Sequence, residues 1–461
     1  MSVTARDYSI VGAESARALE RGLANGEWFQ ANIEPARLRE LMERSNVRAG
    51  IDMAIWFALI AGTAVLAWNL RDGWLAVPAF LAYGALVGGS SDARWHECGH
   101  GTAFKTSWLN DLVYYPASFM IAREPTYWRW SHFRHHTDTI VVGRDPEIIF
   151  PRPPSFGQVA LTFANITGGP RLMLGTIGHA FSGVAPVVAE IVPEAEWQKV
   201  VREARVMVAI WIGVIALAVA TTSILPVLYI GGPTIYGAWL MVFFGVTQHA
   251  GLQEDVLDHR FSTRTVKMNP IFRFLYLNMN YHVEHHMFPA VPYRALPELH
   301  DEISEQLPMA APSTLAAYRE IFRAIRHQSK DPTWELDRNV PDVQAASGQI
   351  VQAFNWLETD GWLDVGRDDL GAGELRSVVV GDTDCVIART EDGALCAVAR
   401  RCTHGEADLG AGLVVQNEIE CPKHNGRFSL TTGAPTRRPV QEPLRTFPIR
   451  SKNGRMQMEV Q

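Results

Sequence analysis

The sequence predicts an α-helical membrane protein, with four transmembrane helices in two hairpins plus cytoplasmic helices, that ends in an all-β domain. Three observations carry this expectation: long uncharged stretches, basic residues flanking them mostly on one side, and short β-rich runs between Gly and Asp turns near the C-terminus. The chain has 461 residues, 47% of them hydrophobic, an average that hides a division. Met53 to Leu70, Gly73 to Ser91 and Val206 to Gln248 hold much of the apolar content, whereas the chain beyond about residue 300 is rich in charge.

Residues 1–50 are read as an N-terminal cytoplasmic segment. They contain Asp7, Glu14, Glu20 and Glu27 and no apolar core before a small-residue cleavage site, so no signal peptide is expected. About 20 apolar residues are needed to cross a hydrocarbon layer of about 30 Å. The first two stretches, parted by Arg71 and Asp72, therefore make one helical hairpin, and the third is long enough for two spans broken at Pro226 and at Gly231-Gly232-Pro233. Arg37, Arg39, Arg44 and Arg48 precede the first span, and Arg94 and Lys105 follow the second; Lys199, Arg202 and Arg205 precede the third, and Arg260, Arg264 and Lys267 follow the fourth. Only Arg71 lies on the other side, which puts both termini in the cytoplasm of an integral, bacterial inner-membrane protein. A catalytic region over 51–325, with one more helix over Thr314 to Gln328 at its end, is followed by a linker over 326–357 and the β domain over 358–461, with runs at Ser377 to Val380, Cys385 to Arg389 and Cys396 to Ala399.

A net charge of −7 argues against nucleic acid as a partner, because phosphate binding needs a clustered basic surface. Five scattered cysteines do not form a disulfide framework and fit metal chemistry in a reducing compartment.

Eight of the fifteen histidines fall in three clusters: His96 and His100 in HECGH, His132, His135 and His136 in HFRHH, and His282, His285 and His286 in HVEHH. Positions i, i+3 and i+4 of a helix share a face, so each cluster aims two or three imidazoles at one point. With His249 at the end of the fourth span, nine imidazoles are more than one metal uses, and two metals are expected. Imidazole suits iron, copper, zinc and nickel alike, and iron is favoured because a redox module follows. Glu97, Asp138, Asp145 and Glu284 are expected to hold the imidazole N–H groups. HECGH alone also fits the H-E-x-x-H of zinc proteases, a pattern that leaves the other clusters without a role. His179, His259, His300 and His327 have no cluster spacing and are expected to be ordinary core or surface histidines. Tyr127, Trp128 and Trp130 fit either an interfacial belt or a substrate slot.

The three clusters resemble the histidine boxes HxxxH, HxxHH and HxxHH of the membrane fatty acid desaturase and hydroxylase superfamily, and AVPYR after YHVEHHMFP continues the likeness, over roughly residues 50 to 325. The resemblance implies that His96, His100, His132, His135, His136, His282, His285 and His286 are ligands of two irons, with His249 matching an extra histidine of that family. One departure is Gly245, where some desaturases carry an Asn that contacts a metal-bound water.

In the β domain, Cys402-Thr403-His404 and Cys421-Pro422-Lys423-His424 offer two Cys and two His, which can ligate one zinc or a [2Fe–2S] cluster. Their spacing and the Pro after the second Cys resemble a Rieske domain over roughly residues 360 to 455. The resemblance makes Cys402, His404, Cys421 and His424 the cluster ligands. Glu406 and Asn425 stand where high-potential Rieske proteins carry disulfide cysteines, so the module looks ferredoxin-like. It implies one-electron supply from a separate flavin ferredoxin reductase that oxidises NAD(P)H, since the chain shows no G-x-G-x-x-G fingerprint opening a strand-helix unit. In front-end desaturases a haem cytochrome b5 domain with an HPGG motif is fused to the catalytic unit; no HPGG occurs here. A tether of roughly 30 residues raises the donor's effective concentration to about the millimolar range.

These readings together imply an O2-dependent di-iron oxidoreductase, desaturase or hydroxylase, that attacks an unactivated C–H bond of a lipid or fatty acyl substrate at the bilayer. The run Gln248 to Pro289 also looks like the bacterial desaturase-like oxygenases of rhizopine catabolism, which implies a second possibility, hydroxylation and O- or N-demethylation of a small methylated compound.

Overall fold

In the computed structural model, residues 6–24, 28–343, 352–354 and 361–459 are described, so parts of the expected linker over 326–357 lie outside the described residues. The chain divides into two compact units. The first comprises Met1–Trp28, Arg44–His286 and Leu307–Pro341; the second comprises Phe29–Glu43, Met287–Gln306 and Asp342–Gln461. The second unit therefore holds more than the β domain: it includes the segment that follows the third histidine box.

The first unit is helical. Its helix Asn46–Leu70 starts where the Ser45 side chain accepts the Arg48 N–H, and its 25 residues extend about 37 Å, enough to cross a hydrocarbon layer. Asn46–Leu70 and Glu194–Ala220 are the two helices among the described residues that are long and apolar enough to cross a membrane. Both leave large apolar side chains uncovered, with Val65 60% and Val219 72% exposed.

The other two expected spans are interrupted. Where Gly73 to Ser91 was expected to span, the structure has Ala76–Gly84, a π turn over Ala85–Gly89, and then Ser91–His100. The stretch Val206 to Gln248 ends its first helix at Ala220 and continues as Leu225–Tyr229, Pro233–Tyr236 and Trp239–His249. The physical reason is close backbone packing. Gly84 and Gly88 form a G-x-x-x-G ridge, and a Cβ at Gly88 would fall 1.9 Å from the Pro233 carbonyl oxygen. That contact docks the helical path leading into the first box against the path leading to His249.

Several arginines counted for orientation are buried rather than displayed. Arg94 is fully buried and donates to the carbonyls of Phe274 (3.0 Å) and Leu275, tying the first-box helix to the segment before the third box. Arg264 donates to the carbonyls of Thr247 (3.0 Å) and Ala250 (3.1 Å), completing the C-terminal end of Trp239–His249.

The β part of the second unit contains three sheets. One runs in the order Gln352–Phe354, Leu375–Val380, Thr383–Arg389, Leu395–Ala399, Thr446–Phe447; it is antiparallel apart from its first pair. A three-stranded sheet joins Ile449–Lys452, Arg455–Glu459 and Trp362–Arg367, and a four-stranded sheet joins Leu413–Val415, Glu418–Glu420, Arg427–Ser429 and Pro435–Arg437. Side chains alternate across a strand. On Thr383–Arg389, Cys385 and Ile387 enter one core with Val378, Phe447 and Met458, while Val386 and Ala388 enter another with Ile419 and Phe428. Cys402 and Cys421 belong to that second core, which fixes the two loops that carry them.

Candidate metal centres

Each histidine cluster lies on a helix end. Ser91–His100 stops at Gly101, whose left-handed backbone (φ 70°) closes the helix just after His100. Pro125–Thr137 begins with Pro at its first turn and carries the second cluster in its last turns, and His282–Met287 carries the third.

All nine expected histidines gather into two groups. His96, His100, His132, His136 and His285 form one, and His135, His249, His282 and His286 the other; within each group the ligand atoms lie within 4.8 Å of one another. The second and third clusters are split between the groups. In each, the i and i+4 imidazoles serve one group and the i+3 imidazole serves the other, because i+3 and i+4 differ by about 100° around the helix.

The nitrogen spacing fits coordination. In the first group Nε2 to Nε2 distances are 3.1 Å for His100 to His132, 3.1 Å for His132 to His136 and 3.2 Å for His136 to His285. In the second they are 3.0 Å for His249 to His282 and 3.0 Å for His282 to His286. Two nitrogens each about 2.1 Å from one ion and roughly at right angles are separated by about 3.0 Å. His96 is buried, yet among the described residues neither ring nitrogen has a hydrogen-bond partner, a costly state that a metal bond relieves. Burial first, and then the neighbouring imidazoles, push His132, His136, His285 and His286 well below the ordinary histidine range, so they are neutral and keep a lone pair that could serve a metal.

Four of the outward ring nitrogens have protein partners. His135 Nδ1 lies 2.9 Å from Asp145, His132 Nδ1 3.2 Å from Glu147, His286 Nδ1 3.1 Å from the Thr139 hydroxyl, and His249 Nδ1 2.9 Å from the Ser262 carbonyl. These bonds turn Nε2 toward the group centres. His135 is raised instead: burial lowers it, and the Asp145 charge and hydrogen bond outweigh that. Burial also raises Glu147 above the usual carboxylate range.

Of the four carboxylates expected around the imidazoles, Asp145 lies against His135. Glu284 accepts a 2.5 Å hydrogen bond from Thr265, and Asp138 is paired with Arg134 and with Arg144 at 3.1 Å. Glu97 is fully buried on the first-box helix. Glu147 was missed, and its signal was faint: a second acid two residues after Asp145, whose Oδ1 accepts the Glu147 N–H at 2.8 Å.

His179 is a satisfied core histidine, 2.8 Å from Glu124, and His327 stacks on Trp334. His259 is less ordinary, since it stacks on Trp28 (4.2 Å) and its ring centre lies 5.1 Å from that of His286. Trp130 is buried and donates to Glu196 at 3.1 Å, Trp128 lies under Arg123, and Tyr127 and Trp128 are partly buried.

In the β domain, the Nδ1 atoms of His404 and His424 lie 3.1 Å apart, the arrangement of two imidazoles turned to one iron. Cys402 and Cys421 are each 1% exposed. The Cys402 sulfur is close enough to hydrogen-bond to Cys421 and, with the backbone N–H groups of Lys423 and His424, holds the Cys421 thiol below its ordinary range. Thiolate is the ligand form.

A family model described as fatty acid desaturase matches residues 72–317, more than half of the chain, and the model of the Rieske [2Fe-2S] domain matches residues 361–448. The ferredoxin component of the naphthalene 1,2-dioxygenase/salicylate 5-hydroxylase systems of Ralstonia sp is 32% identical over 104 residues, which cover 22% of this chain and 99% of that protein. The anthranilate 1,2-dioxygenase ferredoxin subunit of Burkholderia cepacia is 36% identical over 93 residues, 20% of this chain and 85% of that protein. Among solved structures, the Sphingomonas yanoikuyae B1 ferredoxin is 29% identical, covers 22% of this chain and 98% of its own, and has a TM-score of 0.21. The donor sets fit the groups these families imply: nine imidazoles in two groups fit an iron pair, and two sulfurs with two facing imidazoles fit a [2Fe–2S] cluster.

Proposed function

The chain belongs to the fatty acid desaturase family and ends in a Rieske [2Fe-2S] domain, and from that premise we propose that it oxidises a C–H bond of a lipid acyl chain. It is an iron-dependent oxidoreductase, an oxygenase or desaturase joined to its own electron-transfer module. The gathering of nine imidazoles into groups of five and four carries the proposal. Under it, these nine hold the two irons, and Cys402, His404, Cys421 and His424 hold the cluster.

What the two irons supply when bound is reduction of O2 coupled to removal of hydrogen from carbon. Hydroxylation consumes one O2, two electrons and two protons, and gives an alcohol and one water; desaturation consumes the same and gives an alkene and two waters. The protein's own part is positioning. Asp145, Glu147, Thr139 and the Ser262 carbonyl fix ring orientation, and burial of eight of the nine imidazoles excludes water from the reacting centre. Electrons come singly from a separate NAD(P)H-dependent flavin reductase.

The family is typically membrane-associated, and the exposed apolar helices Asn46–Leu70 and Glu194–Ala220 support a bilayer location. We place four spans there, the interrupted helical paths Ala76–His100 and Leu225–His249 completing the two hairpins, with the metal centres on the cytoplasmic side. One observation favours a second reading. The donor module is similar to ferredoxins of systems named for naphthalene and anthranilate, which are small molecules, and a small methylated substrate released as an alcohol and formaldehyde fits such a donor.

The test is lipid analysis of cells with and without the gene, beside formaldehyde release from methylated compounds. New double bonds or hydroxyls in acyl chains are expected. Formaldehyde with unchanged lipids would replace the lipid reading with the second one.

A further inference from the structure

The two histidines of the Rieske loops are not equivalent. His404 is partly exposed, whereas His424 is 3% exposed and is followed by Asn425, itself 1% exposed. Asn425 holds a left-handed backbone (φ 57°), which Asn adopts more readily than most residues. In that conformation its Nδ2 donates to the carbonyl oxygen of Pro289 at 3.4 Å, a bond buried within the second unit. Pro289 stands three residues after His286 in the continuous chain His286-Met287-Phe288-Pro289, and Met287 and Phe288 are 3% and 2% exposed.

We propose that Asn425 is the electron exit of the Rieske module. An electron leaves the reduced cluster through His424, crosses the Asn425 to Pro289 hydrogen bond, and follows the peptide chain of residues 286–289 to the third histidine box. The partly exposed His404 is the entry, facing an external flavin reductase. Each passage oxidises the cluster by one electron and reduces the iron pair by one; two passages supply the two electrons that one O2 requires, and the reductase restores the cluster. Asn425 is a positioning residue in this scheme, because it acts through His424 and the Pro289 carbonyl. The inference rests on the function proposed above.

The experiment uses the full, iron-loaded chain. The cluster is reduced with dithionite, mixed with O2 and substrate-containing membranes, and followed by its visible absorption as it re-oxidises, in wild type, Asn425→Gly and Asn425→Asp. Gly keeps the left-handed backbone without a donor, and Asp places an acceptor against a carbonyl. Both variants are expected to slow re-oxidation severalfold while leaving the cluster's electron paramagnetic resonance spectrum, its reduction potential and its rate of reduction by a flavin reductase unchanged. Wild-type re-oxidation rates in both variants would overturn the route. So would slowing that is matched by a shifted potential, since Asn425 would then tune the cluster rather than conduct from it. If wild type re-oxidises equally fast with and without iron in the histidine groups, the proposed function itself fails, an outcome distinct from either result with the variants.

Discussion

Replacing Asp145 with Asn should cost the four-imidazole group most of its hold on iron. The Asp145 carboxylate is buried, receives the N–H groups of Ile140 and Glu147 at 2.8 Å each, and lies 2.9 Å from His135 Nδ1. An amide keeps one oxygen for the backbone donors but turns an N–H toward the imidazole. His135 must then give up that bond or move its proton to Nε2, where the lone pair for the metal is needed. Loss of such a partner typically weakens metal binding by about 10–100-fold, or about 1.4–2.7 kcal/mol. The assay is iron content per chain after equilibration with graded chelator, with the Rieske resonance signal as an internal count of folded protein. Asp138→Asn is the matched control, because that buried carboxylate faces Arg134 and Arg144 instead of a ligand; it should lower stability and spare iron affinity. Equal iron retention in wild type and Asp145→Asn, or equal losses in the two variants, would refute the reasoning.

Three further outcomes follow from the same geometry. His135→Ala should abolish O2-dependent product while leaving the Rieske resonance intact, and loss of that signal would mean the two centres are not separable. Iron-free protein should lose thermal stability as pH falls below about 6.5, by up to about 1.4 kcal/mol per pH unit for each of His132, His136, His282, His285 and His286. The sign follows because burial holds these imidazoles below their unfolded value, so the unfolded chain binds the protons; His135, raised by Asp145, adds stability at low pH that is lost as pH rises. A midpoint that is flat from about pH 7.5 to 5.5 would contradict this. Gly88→Ala, which presses a methyl against the Pro233 carbonyl, should destabilise by about 1–3 kcal/mol or more in calorimetry, and an unchanged midpoint would show that the helices do not meet there.

Much of the site was legible because its chemistry is local. The i, i+3, i+4 spacing brings histidines to one helix face with no knowledge of the fold, and C-x-H with C-x-x-H sets a ligand loop by itself. How the second and third clusters divide between two metals was not legible, since that depends on the rotation of each helix against the others. Glu147 and Thr139 escaped for the same reason: a lone acid or hydroxyl has no pattern, and only tertiary packing brings it to His132 or His286. The β domain announced its strands as β-rich runs between Gly and Asp turns, and the helix Thr314–Gln328 was readable from its own sequence. The break at Gly231-Gly232-Pro233 was readable from its turn residues, whereas the π turn over Ala85–Gly89 was hidden within an apolar run, because hydropathy reports burial or lipid and not the backbone approach that glycines permit. Nor does anything in the sequence say that Met287–Gln306 groups with the Rieske loops, the arrangement on which the electron route depends.

The central claim is that one chain holds both an all-imidazole iron pair and a Rieske cluster, and a metal and sulfide count on purified protein, read with Mössbauer and resonance spectra, tests it most directly. The account predicts two irons beyond the two of the cluster, in a nitrogen-rich environment that His135→Ala and His96→Ala deplete and Cys402→Ser spares. Zinc in the histidine groups, or no iron beyond the cluster's own, would contradict it.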